Sequence, residues 1–281
     1  MAEPYIEEDL GLATMRDAWD PEQYRLFREQ RLQPLHDLLD LVDPRGVERA
    51  VDLGCGPGEM TELVARRVPL ATVVGVDNSP TMLERARTFT TPQIRFVEGD
   101  LAHWSDPVGV DLIVANASLH WAPSHSDVLA LWSASLRPGG QLAVQVPSNA
   151  DQPQHRIAID LATEEPYASV WGPSGPPPDV VVAHVLTPNR YAQILDGLGF
   201  VDIDVTVKVY PHRLPSTRHV VEWVKGTTLT RFRTRLPDNL YQQFVAEYER
   251  RLLNELGDSA PYFFPFSRVF LHARRPECDV P

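Results

Sequence analysis

Asp52-Leu53-Gly54-Cys55-Gly56-Pro57-Gly58 sets three glycines on alternate positions behind a carboxylate, a combination that can cradle a ligand. Without Cβ atoms in the way, the backbone can turn sharply and approach a bound group closely. A dinucleotide fingerprint, Gly-x-Gly-x-x-Gly, would need its third glycine at position 59, which is Glu59. A glutamate at a helix start repels the pyrophosphate that such loops otherwise hold. The loop therefore suits a zwitterionic or cationic nucleoside. Roughly 20 residues on, Asp77 can accept hydrogen bonds from both hydroxyls of a ribose. Asp100 is placed to reach an adenine amino group, and Asn116 to sit over the centre of the same site. Asp52 reads either as a cofactor contact or as an acceptor for the loop amides.

These residues fall at the ends of strand-like segments. The runs 49–53, 72–77, 94–100, 110–116 and 141–146 are short and apolar, as buried parallel strands must be. Helical spacing separates them: Glu59 to Arg67, a helix opened by Ser79-Pro80, and one from about Ser126 to Leu136 closed by Arg137-Pro138-Gly139-Gly140. The pattern predicts an α/β, doubly wound, mostly parallel sheet with ligands at the carboxyl ends of its strands. Strand, loop, acid and order together point to a nucleoside cofactor, S-adenosylmethionine in preference to a dinucleotide.

After Pro147 the alternation lapses. The run WGPSGPPPD (171–179) reads as a loop. Thr187 to Leu198 reads as a helix with Thr187 as its N-cap, followed by a strand over 200–210. Residues 216–256 are mainly helical, and 269–274 form a last strand that can pair with 200–210 across a long insertion. The expected layout is a flexible tail (1–16) and one domain (17–281). Within it, 47–146 are the cofactor core.

Apolar residues at 43% and charged residues at 23% of 281 are the balance of an ordinary globular protein. No apolar run approaches the roughly 18 residues that span a bilayer. The acidic start lacks the basic and apolar regions of a secretory signal. Two cysteines, Cys55 and Cys278, argue against a disulfide framework or a metal cluster, so a cytoplasmic protein without a metal is expected. A net charge of -12 disfavours nucleic acid as a partner. If the substrate is an anion, positive potential must be local to a pocket.

The glycine loop resembles the first motif of class I S-adenosylmethionine-dependent methyltransferases. Four further segments narrow the match: ANASLHWAPSH (115–125), YRLFREQRLQPLHDLL (24–39), YPHRLPS (210–216) with Trp223, and FPFSRVFLHARR (264–275). With these the chain resembles the trans-aconitate 2-methyltransferase family from Trp19 to Arg275. It departs from the family pattern at Gln33 and Pro211, positions that bear on the choice of acid.

The resemblance implies a Rossmann-like seven-stranded sheet with an antiparallel last strand and helical lid insertions. It implies that 17–46 are N-terminal lid helices and that 147–186 with 211–265 are substrate-side insertions. It also implies S-adenosyl-L-methionine held by Asp52, Gly54, Gly56, Gly58, Asp77, Asn78, Asp100, Leu101, Asn116 and Ala117. The reaction implied is esterification of one carboxylate of a small polycarboxylic acid. A carboxylate is already ionised at neutral pH, so no general base is needed and the work is positioning. Arg31, with a guanidinium suited to bidentate carboxylate binding, and His120 are the positioning candidates. Tyr24, Trp121 and His212 complete the expected substrate contacts.

Several have a plainer alternative: Arg31 as a surface ion pair with Asp37 or a nearby Glu, His120 as an interior histidine, Trp121 and Trp223 as packing. Other acceptors remain open, including a carrier-bound malonyl thioester, another small carboxylic acid or a carbon nucleophile. An acidic carrier would need an exposed basic patch; RFRTR (231–235) is the one candidate and reads as a solvated helix face. A binding module that has lost chemistry would bind the cofactor without turnover.

Overall fold

The inner strands are largely apolar on both faces because helices cover both. The computed structural model describes residues 28–277, with side chains from Leu32 onward. Its seven strands are β1 (Arg49–Leu53), β2 (Thr72–Asp77), β3 (Ile94–Glu98), β4 (Val110–Asn116), β5 (Leu136–Pro147), β6 (Val201–Leu214) and β7 (Tyr262–Arg274). They form one sheet in the order β3-β2-β1-β4-β5-β7-β6. Pairing from β3 to β5 is parallel, while β7 runs antiparallel to both β5 and β6. The predicted antiparallel last strand and its pairing with the preceding one both hold.

Side chains alternate between the two faces as the strand period requires. Val51 and Leu53, Ile113 and Ala115, Leu142 and Val144, and Val269 and Leu271 enter one core. Their neighbours Ala50, Leu112, Val114, Ala143 and Phe270 enter the other. The first core is closed by α4 (His125–Ala134) and α8 (Pro188–Gly197), the second by α1 (Arg28–Asp40) and α2 (Glu59–Arg67). Trp132 on α4 is wholly buried, and its indole N–H donates 2.9 Å to the Leu101 carbonyl, so a large apolar group brings its polar edge a partner.

Local capping matches the sequence. The Ser79 hydroxyl accepts from Met82 N at the start of α3 (Pro80–Ala86), and the Thr187 hydroxyl accepts from Arg190 N at the start of α8. The chain differs from expectation at the end of α4. Leu136 already pairs with Val110, so Arg137-Pro138-Gly139-Gly140 belongs to β5 and is not simply a helix terminator. A register shift between Val110 and Leu112 accommodates the run as an irregularity of the ladder. Gly139 has φ +75°, and a Cβ on Gly140 would lie 2.8 Å from the Arg137 carbonyl oxygen, which is why glycines stand there. At β3 the strand stops at Glu98, leaving Gly99 and Asp100 in the following loop.

Past β5 the chain builds a third core. Helices α5 (Pro153–Ala162), α6 (Ala168–Trp171), α7 (Val180–His184), α9 (Arg218–Lys225), α10 (Thr230–Arg233) and α11 (Asp238–Leu256) complete the chain order. Ile157, Leu161, Trp223, Phe232, Phe244 and Phe266 are among the side chains that pack together there. Helix α5 was not anticipated, and Gly172–Ser174 makes a short 3-10 turn within the loop read at 171–179. Strands β6 and β7 are also longer than their alternation implied: their ladder continues through His212↔Phe264 to Leu214↔Tyr262 and carries the sheet into this third core.

Candidate active site

The strand order reverses direction between β1 and β4, and the crevice lies at their carboxyl ends. Gly54 and Cys55 both donate to the Val76 carbonyl, at 2.8 and 3.0 Å, which pins the loop after β1 over β2. Asp77 fixes its outer part. One carboxylate oxygen accepts from Gly56 N at 2.8 Å and the other from Ser79 N at 2.9 Å. Burial raises the Asp77 pKa, opposed by these backbone donors. Asp52 is not the acceptor for the loop amides. It is buried under the loop and accepts from the Thr61 hydroxyl at 2.7 Å, with burial pushing its pKa up to about 6.

The three loop glycines serve different purposes. A Cβ on Gly54 would meet the Ser118 Cβ at 2.3 Å, and one on Gly58 would meet Ala86 and Phe96 at under 3.0 Å. Gly56, with φ +55°, has nothing within 4 Å of its Cβ direction, so its backbone faces open space. At the end of β4, Asn116 donates to the Met60 sulfur, while its Oδ1 is buried without a partner among the described residues. Ala117 next to it takes φ +54°, a left-handed conformation rare outside glycine. Asp100 accepts from Ala102 N and lies 3.2 Å from His103 Nδ1, with its side chain still 39% exposed.

A second cleft of about 580 Å³, partly open to solvent, adjoins the β4 and β5 ends. Its lining includes the His120–Trp121 turn after β4 and, from α9 and α10, Trp223 and Arg231. Asn149, Asp179, His155 and Phe266 also line it. Burial pushes the His120 pKa down to about 3, helped by the nearby His125 and Arg268. Its Nδ1 is buried without a partner among the described residues, and its carbonyl accepts from His184 Nδ1 at 3.1 Å.

Comparison with known proteins places this geometry. A family model described as a methyltransferase domain matches residues 50–140. A trans-aconitate 2-methyltransferase of Deinococcus radiodurans is 41% identical over 264 residues, 92% of this chain and 99% of that protein.

The chain belongs to the trans-aconitate 2-methyltransferase family.

A second member, from Variovorax paradoxus, is 41% identical over 92% of this chain and 98% of its own length. Among solved structures, phosphoethanolamine N-methyltransferase 2 of Haemonchus contortus in complex with S-adenosyl-L-methionine is similar with a TM-score of 0.53. It shares 16% identity over 87% of this chain and 52% of that one, a likeness of fold.

Of the residues that the trans-aconitate 2-methyltransferase pattern singled out, Gly54 and Gly56 follow β1, Asp77 and Asn78 stand at the end of β2, and Asn116 and Ala117 at the end of β4, while Gly58 faces Ala86 and Phe96. Leu101 lies against the loop, 3.4 Å from where a Gly54 Cβ would stand. His120 and Trp121 line the second cleft. His212 does not: it sits on β6, with ring centroids 5.2 Å from Trp223 and 6.3 Å from Phe266. Tyr24 and the Arg31 side chain lie outside the described residues. Asp37, one of the alternative partners for Arg31, bonds Gln33, Lys208 and Tyr210.

The family departures at Gln33 and Pro211 do not reach the cleft. Gln33 is exposed and donates to Asp37 at 2.9 Å, while Pro211 is exposed opposite Pro265 in the β6–β7 ladder.

Arg231 is the residue that sequence reasoning missed. The RFRTR run is not a solvated face at its first position, because Arg231 is only 4% exposed and ion-paired with Asp179. His155 Nδ1 donates to the same carboxylate at 2.9 Å, and Val181 N donates to its other oxygen at 3.0 Å. Burial raises the Asp179 pKa, but His155 and Arg231 outweigh it and leave the group lowered. The available signal was the pairing of a threonine-arginine start (Thr230-Arg231) with an upstream Pro-Asp cap (Pro178-Asp179), which pattern alone does not connect.

Proposed function

We propose that the chain transfers a methyl group from S-adenosyl-L-methionine to a carboxylate oxygen of a small polycarboxylic acid, trans-aconitate foremost, giving a monomethyl ester. The observation that carries this reading is a glycine loop and polar strand ends at the switch point of the sheet together with a cleft at the ends of β4 and β5 that has aromatic lining and a buried arginine. The residues present fit the cofactor: the open face of Gly56, the unpartnered Asn116 Oδ1 and the Asp77 carboxylate stand at adjacent strand ends. Asp77 and Asn78 would hold the ribose side, Asp100 and Leu101 the base, and Gly54, Asn116 and Ala117 the amino-acid part. When bound, the cofactor supplies an activated methyl group on a sulfonium.

The chain's residues then have only to position an acid that is already ionised. His120 is neutral at physiological pH because burial holds its pKa near 3, so it offers a hydrogen bond to the acid and not a charge. Trp121, Trp223 and Phe266 give apolar walls that strip water from the attacking carboxylate. Arg31 and Tyr24 are proposed to reach the acid from the N-terminal segment, and His212 to support Trp223. The cleft draws its lining from both 147–186 and 211–265, which supports reading these as substrate-side insertions of one domain.

Two rivals lose ground on particular residues. A carrier-bound acceptor needs the basic run at 231–235 on the surface, and Arg231 is buried. A carbon acceptor needs a base, yet His120 and His212 are both depressed, to about 3 and about 4. No helix among the described residues is long and apolar enough to cross a membrane; we propose the cytoplasm as the compartment. The test is incubation with methyl-labelled cofactor and a panel of di- and tricarboxylic acids, following extractable ester. Labelled trans-aconitate ester is the expected product. Cofactor binding with no ester from any acid would sink the reading.

A further inference from the structure

Arg231 carries unused hydrogen-bonding capacity inside the cleft. Its Nη1 is committed to Asp179, while Nε and Nη2 are buried without partners among the described residues. Those two nitrogens share one edge of the planar guanidinium, with parallel N–H bonds at the spacing of a carboxylate's oxygens. Orphaned donors on a buried cation are more costly than on a neutral group unless something else fills them.

The orientation of this edge is imposed. Asp179 holds Nη1 and is itself fixed by His155, Val181 N and its place at the start of α7. The Arg231 guanidinium also stacks on Phe232, with 4.5 Å to the ring centroid. The free edge is thus built into the fold rather than left to a mobile side chain.

Resting on the function proposed above, we propose that the Nε/Nη2 edge of Arg231 grips a non-reacting carboxylate of the substrate and so selects acids with two or more carboxylates. The reacting carboxylate is the wrong partner for this edge. Two charge-assisted bonds would draw charge from the oxygen that must attack, and Arg231 lines the cleft on α10 while the His120–Trp121 turn lines it from the end of β4. Asp179 acts as a positioning residue, holding the fork so that its side edge faces the cleft. Asn149, whose Oδ1 is buried and unpartnered on the same cleft, can turn its amide to donate to the same group.

The test uses Arg231→Gln and Arg231→Lys in the full chain. The lysine variant keeps a cation beside the buried Asp179 but loses the fork, so it carries the test if the glutamine variant does not fold. Calorimetry on protein loaded with S-adenosylhomocysteine reads the Kd of trans-aconitate and of crotonate, a monocarboxylate; a separate titration reads cofactor affinity. Trans-aconitate should bind roughly 10- to 100-fold more weakly to either folded variant, with crotonate and cofactor binding changed less than about threefold. Unchanged trans-aconitate affinity in a folded variant overturns the proposal, as does an equal loss for both acids, which would mark a structural role. Because binding is read without turnover, a wild-type protein that binds trans-aconitate through Arg231 but makes no ester would sink the methylation reading and leave the grip standing.

Discussion

Ser118 sits directly over Gly54: its hydroxyl donates 2.5 Å to the Leu53 carbonyl, and a Cβ on Gly54 would come within 2.3 Å of its own Cβ. The end of β4 thus clamps the end of β1 at the switch point of the sheet. Gly54→Ala has to displace buried Ser118 while holding φ +76°, so we expect a loss of about 2–4 kcal/mol and no measurable cofactor binding. Gly56→Ala has room for its methyl and only the left-handed backbone to bear, about 1–2 kcal/mol. Its methyl would project toward the cofactor, so its affinity should fall while the fold survives. Thermal melts with and without S-adenosylhomocysteine separate the two. Equal melting temperatures for the variants would refute this division of roles.

Thr61→Val tests the buried Asp52 carboxylate. Thr61 is its hydroxyl donor, and that bond works to lower a pKa that burial raises to about 6. A raised carboxyl contributes stability that is complete below its unfolded value near 3.8 and is lost as pH climbs through about 6. Removing the donor hurts the ionised form most. The variant should lose about 1–3 kcal/mol at pH 8 and distinctly less at pH 5, read by urea denaturation at both. A loss that is the same at both pH values would mean that Asp52 keeps one protonation state across that interval, against a pKa of about 6.

Three imidazoles push the other way in acid. Burial holds His120 at about 3 and His125 and His212 at about 4, below the ordinary 6.5. Each binds its proton in the unfolded chain first, so the stability it contributes is complete above pH 6.5 and is lost as pH falls toward its folded pKa. Asp52 offsets part of this between pH 6 and 4. Asp77, which burial also raises, adds to that offset, and His272, which burial lowers, adds to the imidazoles. With four groups against two, the melting temperature should fall between pH 7 and pH 5, and His125→Asn should flatten the slope. A melting temperature that rises over that interval would count against neutral, buried imidazoles.

Much of this architecture was legible where local chemistry decides it. Strands 49–53, 72–77 and 110–116 were read to the residue because burial on both faces forces unbroken apolar runs between glycine turns. The caps at Ser79 and Thr187 were legible because their hydroxyls act within three residues. The substrate cleft was less so. Arg231 looks solvated beside Arg233 and Arg235 until Asp179 meets it from a distant loop, and long-range pairing of that kind leaves no periodic trace. Arg137-Pro138-Gly139-Gly140 misled for a related reason, since a helix end and a strand irregularity use the same residues.

The aromatic wall is a separate prediction. Trp223 is 3% exposed, with ring centroids 5.5 Å from both Phe264 and Phe266 and 5.2 Å from His212. Trp223→Ala should cost about 3–5 kcal/mol by leaving a cavity beside the cleft. Trp223→Phe should keep most of the stability yet admit water to the acid, lowering kcat more than it raises KM. Urea denaturation and steady-state kinetics on trans-aconitate check the pair; a Phe variant with unchanged kcat would remove water exclusion from the account of this wall.

Asp77→Asn separates loop anchoring from cofactor recognition. The two Asp77 oxygens accept from Gly56 N and Ser79 N, so an amide must turn one donor toward another N–H and lose that anchor. The same change removes an acceptor for the ribose hydroxyls. A lost bond of each kind predicts cofactor binding weaker by roughly 10- to 100-fold, against about 1 kcal/mol of stability in the unliganded protein. Isothermal titration with S-adenosylhomocysteine and denaturation of the apo protein measure the two effects separately. Full cofactor affinity with the stability loss intact would confine Asp77 to holding the loop, and ribose recognition would then have to come from Asn78 or the loop backbone.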